Sequence, residues 1–152
     1  EYLHTIFGKT AGPLPELNLH YEKLLQETVL EAIRSGLVKS AHDCTDGGLA
    51  VALAECAISN RERTIGAEIY LDDEIRPDAL LFGESQSRIV VTTSPASGEK
   101  LIDICIRAGI PVAAIGKVGG DHLKINDLIS LSLSEMNTAY FATLKSLLER
   151  FS

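Results

Sequence analysis

Apolar residues recur at helical spacing in four long stretches of this chain and bunch into short runs between them. From His20 to Ser35, Leu24, Leu25, Thr28, Val29, Ala32 and Ile33 fall three and four apart. That spacing predicts a helix, with Asn18 as its cap and Gly36 just past its end. Asp46 to Ser59 repeats the pattern, with Ala50, Leu53, Ala54, Ala57 and Ile58 on one face. Ala96 to Ala108 does so with Leu101, Ile102, Cys105 and Ala108 inward, and Gly109 closes it. The fourth helix is expected from Ser134 to Arg150, striped by Tyr140, Leu144, Leu147, Leu148 and Phe151. Ser134 followed by Glu135 suits its start. Pro77 and Asp78 open a shorter helix through Phe82.

The runs between the helices read as strands. Val38 to His42 and Ile65 to Leu71 are the first two. Ile89 to Thr93 is a β-branched run, predicting a largely buried strand, and Pro111 to Val118 predicts another, closed by Gly119 and Gly120. His122 to Ile125 and Leu128 to Leu133 form a hairpin across Asn126 and Asp127. The alternation gives an α/β class, and the terminal hairpin shifts it towards α+β: a mixed sheet layered with helices. Glu1 to Leu19 contains Gly8, Gly12, Pro13 and Pro15, so residues 1–19 read as an extended lead-in linker. Residues 20–152 read as one domain.

Charge narrows the choice of partner. The net charge of −7 argues against nucleic acid and against an anionic membrane surface. It leaves room for a phosphorylated small molecule, which needs only a local positive potential. The cysteines are Cys44, Cys56 and Cys105, an odd number at wide spacing, which fits a reducing cytoplasm better than a disulfide framework. No apolar run approaches the roughly 18 residues of a membrane span. The chain opens on Glu rather than Met and is expected to begin inside a longer protein.

Two stretches can carry chemistry. The first is the acidic turn Asp43-Cys-Thr-Asp46-Gly47-Gly48, set between a strand and a helix. Asp43 ends the strand, where it can ligate a hard cation such as Mg²⁺. Gly47 and Gly48 let a phosphate approach backbone amides at a helix start. An equally simple reading makes Asp46 a helix cap and Gly-Gly a means of closing the turn. The second stretch is Glu84-Ser85-Gln86-Ser87-Arg88, polar and crowded just before the most hydrophobic strand. Glu84 can accept from sugar hydroxyls, Ser85 and Gln86 can donate or accept, and Arg88 can pair with phosphate or with Asp43. A solvated loop is the plain alternative. His42 and Cys44 share a strand face and could ligate zinc, but no second Cys/His pair has zinc spacing. Arg61, Arg63 and Lys117 read as surface charges.

Together these motifs resemble one family. Ala41-His-Asp-Cys-Thr-Asp-Gly-Gly-Leu is similar to the Asp-x-Ser-Asp-Gly-Gly-Leu segment in C-terminal domains of the aminoimidazole ribonucleotide synthetase superfamily, with Thr45 where that family often has Ser. Leu81-Phe-Gly-Glu-Ser-Gln-Ser-Arg resembles the Phe-x-Glu-Ser-x-x-Arg segment that follows at this interval, and Ile115-Gly-Lys-Val the Ile-Gly-x-Val strand after it. Glu1-Tyr-Leu with Ala11-Gly-Pro-Leu-Pro resembles the junction before the last domain of the superfamily's large amidine-forming member. That member carries two N-type and two C-type domains in one polypeptide, and this chain resembles the second C-type copy.

The resemblance implies a C-terminal domain of an ATP-dependent C–N ligase of purine biosynthesis. That reaction converts formylglycinamide ribonucleotide to its amidine with ammonia derived from glutamine. Expected cofactors are Mg²⁺ and ATP; expected partners are the remaining domains of the enzyme and its glutaminase and small accessory subunits. Asp43 would face the metal. Asp46, Gly47, Gly48, Glu84, Ser85, Gln86 and Arg88 would line a substrate or nucleotide pocket, which in this copy can be auxiliary rather than catalytic. No catalytic residue is assigned here, because the resemblance puts the ATP-binding and histidine segments in other domains, and the isolated chain is expected to be inactive. Sibling enzymes (aminoimidazole ribonucleotide synthetase, selenophosphate synthetase, thiamine-monophosphate kinase) and a purely structural module are the alternatives.

Overall fold

A computed structural model describes residues 1–12 and 14–142. The chain groups into two compact units, Glu1–Ala52 with Ile75–Ala114, and Leu53–Glu74 with Ile115–Ser152. The boundary falls inside one helix, Gly48–Ile58 (α3).

In the first unit, helix α2 (Leu19–Arg34) starts where its sequence says it should. The Asn18 side chain accepts the amide of Tyr21, and Gly36 follows the last turn at φ 69. Strands β1 (Val38–Asp43) and β3 (Ile89–Thr93) pair antiparallel as a two-stranded sheet, with Asp43 opposite Ile89 and an irregularity near Val38. Helix α5 (Pro95–Ala108) is capped by Ser94 and ends on Gly109 in a left-handed conformation. Leu25, Ala32, Leu101, Cys105 and Ile110 bury together, and Val38, Ile89 and Val91 pack against them. Each large aliphatic side chain fully removed from water in this way contributes about 1.5–3 kcal/mol.

Two expectations for this unit change. The lead-in is not wholly extended, because Tyr2–Phe7 forms a short helix (α1) that Gly8 terminates at φ 61. Tyr2 stacks on Phe82, the last residue of helix α4 (Pro77–Phe82), with ring centroids 4.7 Å apart. Strand β3 is only partly buried along its length, since the sheet it belongs to has one other strand.

The second unit is built on a four-stranded mixed sheet. Its order is β4 (Gly116–Val118), β2 (Ala67–Ile69), β5 (His122–Ile125), β6 (Ile129–Ser132). The β2–β5 pair is parallel and the other two are antiparallel. Ile58, Leu123 and Ile125 are its most deeply buried large side chains. The expected hairpin is present, with Asn126 at φ 46 in the turn. The Asn126 amide also donates to and accepts from the Leu71 backbone, at 2.9 Å each way. The strand expected over Pro111 to Val118 shrinks to Gly116–Val118, and it is exposed because it forms the edge of the sheet.

The last expected helix starts earlier and breaks sooner. Ser132, not Ser134, is its cap, closing a reciprocal box with Glu135. Helix α6 (Leu133–Asn137) passes into a π-helical turn, Thr138–Ala142. Arg61 is more than a surface charge: it lies 3.8 Å from the Phe141 ring centroid. Leu144, Leu147, Leu148 and Phe151 lie outside the described residues.

Candidate functional site

Antiparallel pairing of β1 with β3 brings the two polar stretches together. Asp43 ends β1 opposite Ile89, which begins β3. The turn leaving β1 and the loop entering β3 therefore sit at the same end of the sheet. The ladder extends one step further, since the Cys44 amide donates to the Arg88 carbonyl at 2.9 Å.

The acidic turn closes through its glycines. Gly47 and Gly48 stand at φ 80 and φ 69, which side-chain-bearing residues rarely adopt. Gly48 is buried, and a β-carbon there would lie 2.7 Å from the Gly83 carbonyl oxygen and 2.8 Å from the Phe82 carbonyl carbon. Only glycine lets α3 begin this close to the end of α4. The two left-handed residues also delay the helix, so α3 starts at Gly48 and Asp46 lies in the turn rather than at the cap.

Hydrogen bonds then fasten one stretch to the other. The Gly47 amide donates to Oε1 of Glu84 at 2.8 Å. That bond is the main reason the Glu84 carboxyl is held below its ordinary range, against the opposing effect of partial burial. Arg88 points back onto its own loop. Its guanidinium donates to the carbonyl of Gly83 at 3.2 Å and to that of Leu80 at 3.4 Å, satisfying carbonyls at the end of α4. Ser87 stands at φ 63, and its hydroxyl donates to Oε1 of Glu22 on α2.

The expected site residues thus separate into two kinds. Gly47, Gly48, Glu84 and Arg88 hold the turn and loop in place. Asp43, Asp46, Ser85 and Gln86 are exposed beside them. The contact of Glu22 with Ser87 had no sequence signal, because nothing local marks a serine for a left-handed conformation. The His42 ring lies 2.7 Å from the Asp43 carbonyl, Cys44 is buried, and burial pushes its thiol up against the pull of Arg88. Among the described residues no group of three His, Cys, Asp or Glu can hold a metal by itself. A Mg²⁺ ion that shares its ligands with phosphate and water can be held by as little as one protein carboxylate, and Asp43 offers one. An apolar cavity of about 70 Å³ in the first unit, lined by residues such as Leu25, Ala32, Val91 and Cys105, has none of this chemistry.

The turn and the loop both lie within the stretch that a family profile matches. A profile described as "AIR synthase related protein, C-terminal domain" matches residues 3–127. The chain belongs to this family. Among curated relatives, this AIR synthase related domain is 43% identical over 154 residues to phosphoribosylformylglycinamidine synthase subunit PurL of Moorella thermoacetica, covering 99% of the chain and 21% of that protein. It is 40% identical over 157 residues to the same subunit from Anaeromyxobacter sp. strain K, again covering 99% and 21%. The chain thus spans about a fifth of the length of these relatives. Its fold matches T. maritima PurL complexed with FGAR at a TM-score of 0.71 and 22% identity, over 85% of this chain and 23% of that one. It also matches PurLQS from Thermotoga maritima at 0.67 and 23% identity, over 88% and 24%. Among the described residues no helix is long and apolar enough to cross a membrane, and Cys44, Cys56 and Cys105 form no disulfide with one another.

Proposed function

We propose that this chain is the C-terminal domain of a phosphoribosylformylglycinamidine synthase large subunit. In the whole enzyme, ATP would phosphorylate the amide oxygen of formylglycinamide ribonucleotide and release ADP. Ammonia derived from glutamine would attack the resulting iminophosphate carbon, and phosphate would leave to give the amidine. Phosphorylation is needed because phosphate departs readily and an amide oxygen does not. The domain would act in the cytoplasm beside its companion domains and a glutaminase and small accessory subunit.

The observation that carries the reading is the Glu84–Gly47 hydrogen bond, which joins the two motifs into one polar surface. It is supported by relatives at 40–43% identity that cover 99% of the chain. On that surface Asp43 would give one ligand to Mg²⁺, which would offset phosphate charge. Ser85 and Gln86 would hydrogen-bond the phosphorylated ligand, and Asp46 would border it. The start of α3 carries the positive end of the helix dipole, which favours an anion nearby, although its Gly48 amide already donates to the Thr45 carbonyl.

A second reading, a bracing module without turnover, is favoured by one specific arrangement. The Gly47 amide and the Arg88 guanidinium, both natural phosphate donors, are engaged within the chain. Both readings agree that the isolated chain has no synthetase or ATPase activity, and measurable turnover by it would refute both. Calorimetry with Mg·ADP separates them. Binding that weakens at least tenfold in Asp43→Ala fits the pocket, whereas no binding by the parent chain leaves only the brace.

A further inference from the structure

The loop entering β3 is pinned at both ends. Glu84 is tied to Gly47, and Arg88 is tied to Gly83, Leu80 and the Cys44 amide. Three residues bridge the pins, and the direction in which Ser85 and Gln86 project depends on the dihedrals of the third, Ser87. At φ 63 Ser87 holds a conformation that its β-carbon disfavours. Such a conformation persists only where the surroundings fix it. What fixes it here is a hydroxyl donating to Glu22, 65 residues earlier in the chain. An acid in the first turn of a helix is favoured by the helix dipole alone and needs no partner. Glu22 is partly buried and reaches the loop instead.

We propose that Glu22 is a positioning residue for Ser85 and Gln86, acting through Ser87. The inference rests on the pocket reading above for its functional meaning, but its physical content is the geometry of the loop. Without the acceptor, Ser87 relaxes to a negative φ and the backbone that carries the two exposed side chains loses its fixed course. The role belongs to Glu22 as a hydrogen-bond acceptor rather than as a charge, so Gln can replace it.

NMR relaxation on the whole chain tests this. In the parent, the amides of Ser85 and Gln86 are expected near the rigid order parameter of about 0.85, and in Glu22→Ala below about 0.6. Glu22→Gln should behave as the parent. Ser87→Ala, which removes the donor and keeps the β-carbon, should loosen the loop as Glu22→Ala does. Unchanged order in Glu22→Ala overturns the proposal, as does unchanged order in Ser87→Ala. If Glu22→Ala lowers Tm while the loop stays rigid, Glu22 is a structural acid and the proposal falls. Mg·ADP titrations of Ser85→Ala and Gln86→Ala decide the pocket reading separately. Unchanged affinity there removes the pocket without touching the relaxation result.

Discussion

The Glu84 carboxylate accepts the Gly47 amide across 37 residues of sequence, at 2.8 Å. This bond does more than decorate a pocket. It holds a turn of two left-handed glycines against the loop that enters β3. Replacing Glu84 with Ala leaves a partly buried amide without its acceptor. A hydrogen bond to a charged group is worth about 1.5–3 kcal/mol, and the partial exposure of Glu84 puts it at the lower end. Glu84→Ala should therefore lose about 1.5 kcal/mol in urea denaturation, and Glu84→Gln about half of that. A loss under about 0.5 kcal/mol, the range of ordinary surface substitutions, would show that the bond is incidental.

Gly48 should be the least replaceable residue of the turn. An added β-carbon meets backbone atoms of Phe82 and Gly83, which cannot swing aside as a side chain could. Left-handed backbone costs about 1–2 kcal/mol for a residue with a side chain, and overpacking adds about 1–3. Gly48→Ala should thus cost about 2–5 kcal/mol. Gly36 has the same φ of 69 but open space around it, so Gly36→Ala measures the backbone part alone. Equal losses in the two variants would mean that α3 and α4 can part without penalty.

The depressed titration of Glu84 fixes the sign of its pH effect. Its folded pKa lies below the ordinary value of about 4.3. Its stabilisation is therefore complete above pH 4.3 and is lost as pH falls through the folded value. Asp78, Asp121 and Glu135 are lowered too, by Arg76, His122 and Ser132 respectively, so the parent curve mixes several groups. The difference between parent and Glu84→Gln isolates one of them. It should be flat from pH 5 to 7 and shrink below about pH 4.3. A difference that grows on acidification would reverse the assignment.

Local grammar carried much of the fold. Asn18 and Gly36 bracket α2, Pro77 opens α4, and Asn126 turns the β5–β6 hairpin, each because one residue meets a conformational need on the spot. Ser132-Leu-Ser-Glu135 also held a capping box in plain view, three residues apart, which the Ser134 reading passed over. Other features were not local. Whether the apolar run after Pro111 is a core or an edge strand depends on its neighbours, and Gly116–Val118 pairs with β2 alone. The site was legible as two motifs. Their junction was not, because Gly47 meeting Glu84 and Glu22 meeting Ser87 leave no periodicity in the chain.

That junction divides the candidate site into braces and exposed groups, and the division is testable by measuring two quantities on each variant. Ser85 and Gln86 are exposed, so Ser85→Ala and Gln86→Ala should keep stability within about 0.5 kcal/mol. Each should still weaken Mg·ADP binding, by roughly five- to tenfold if it removes one hydrogen bond of about 1 kcal/mol. Arg88→Ala should behave in the opposite way. It strips two carbonyls at the end of α4 of their donors, so it should cost about 1–3 kcal/mol of stability. Measured well below the variant's Tm, its loss of affinity should be smaller than that of Ser85→Ala or Gln86→Ala, because the Cys44 amide still pins the Arg88 carbonyl. Arg88→Lys should not restore stability, because one ammonium cannot reproduce the planar fork that reaches Gly83 and Leu80 together. Should Arg88→Ala abolish binding while leaving Tm unchanged, the guanidinium belongs to the ligand, and the loop must open from its present geometry to deliver it.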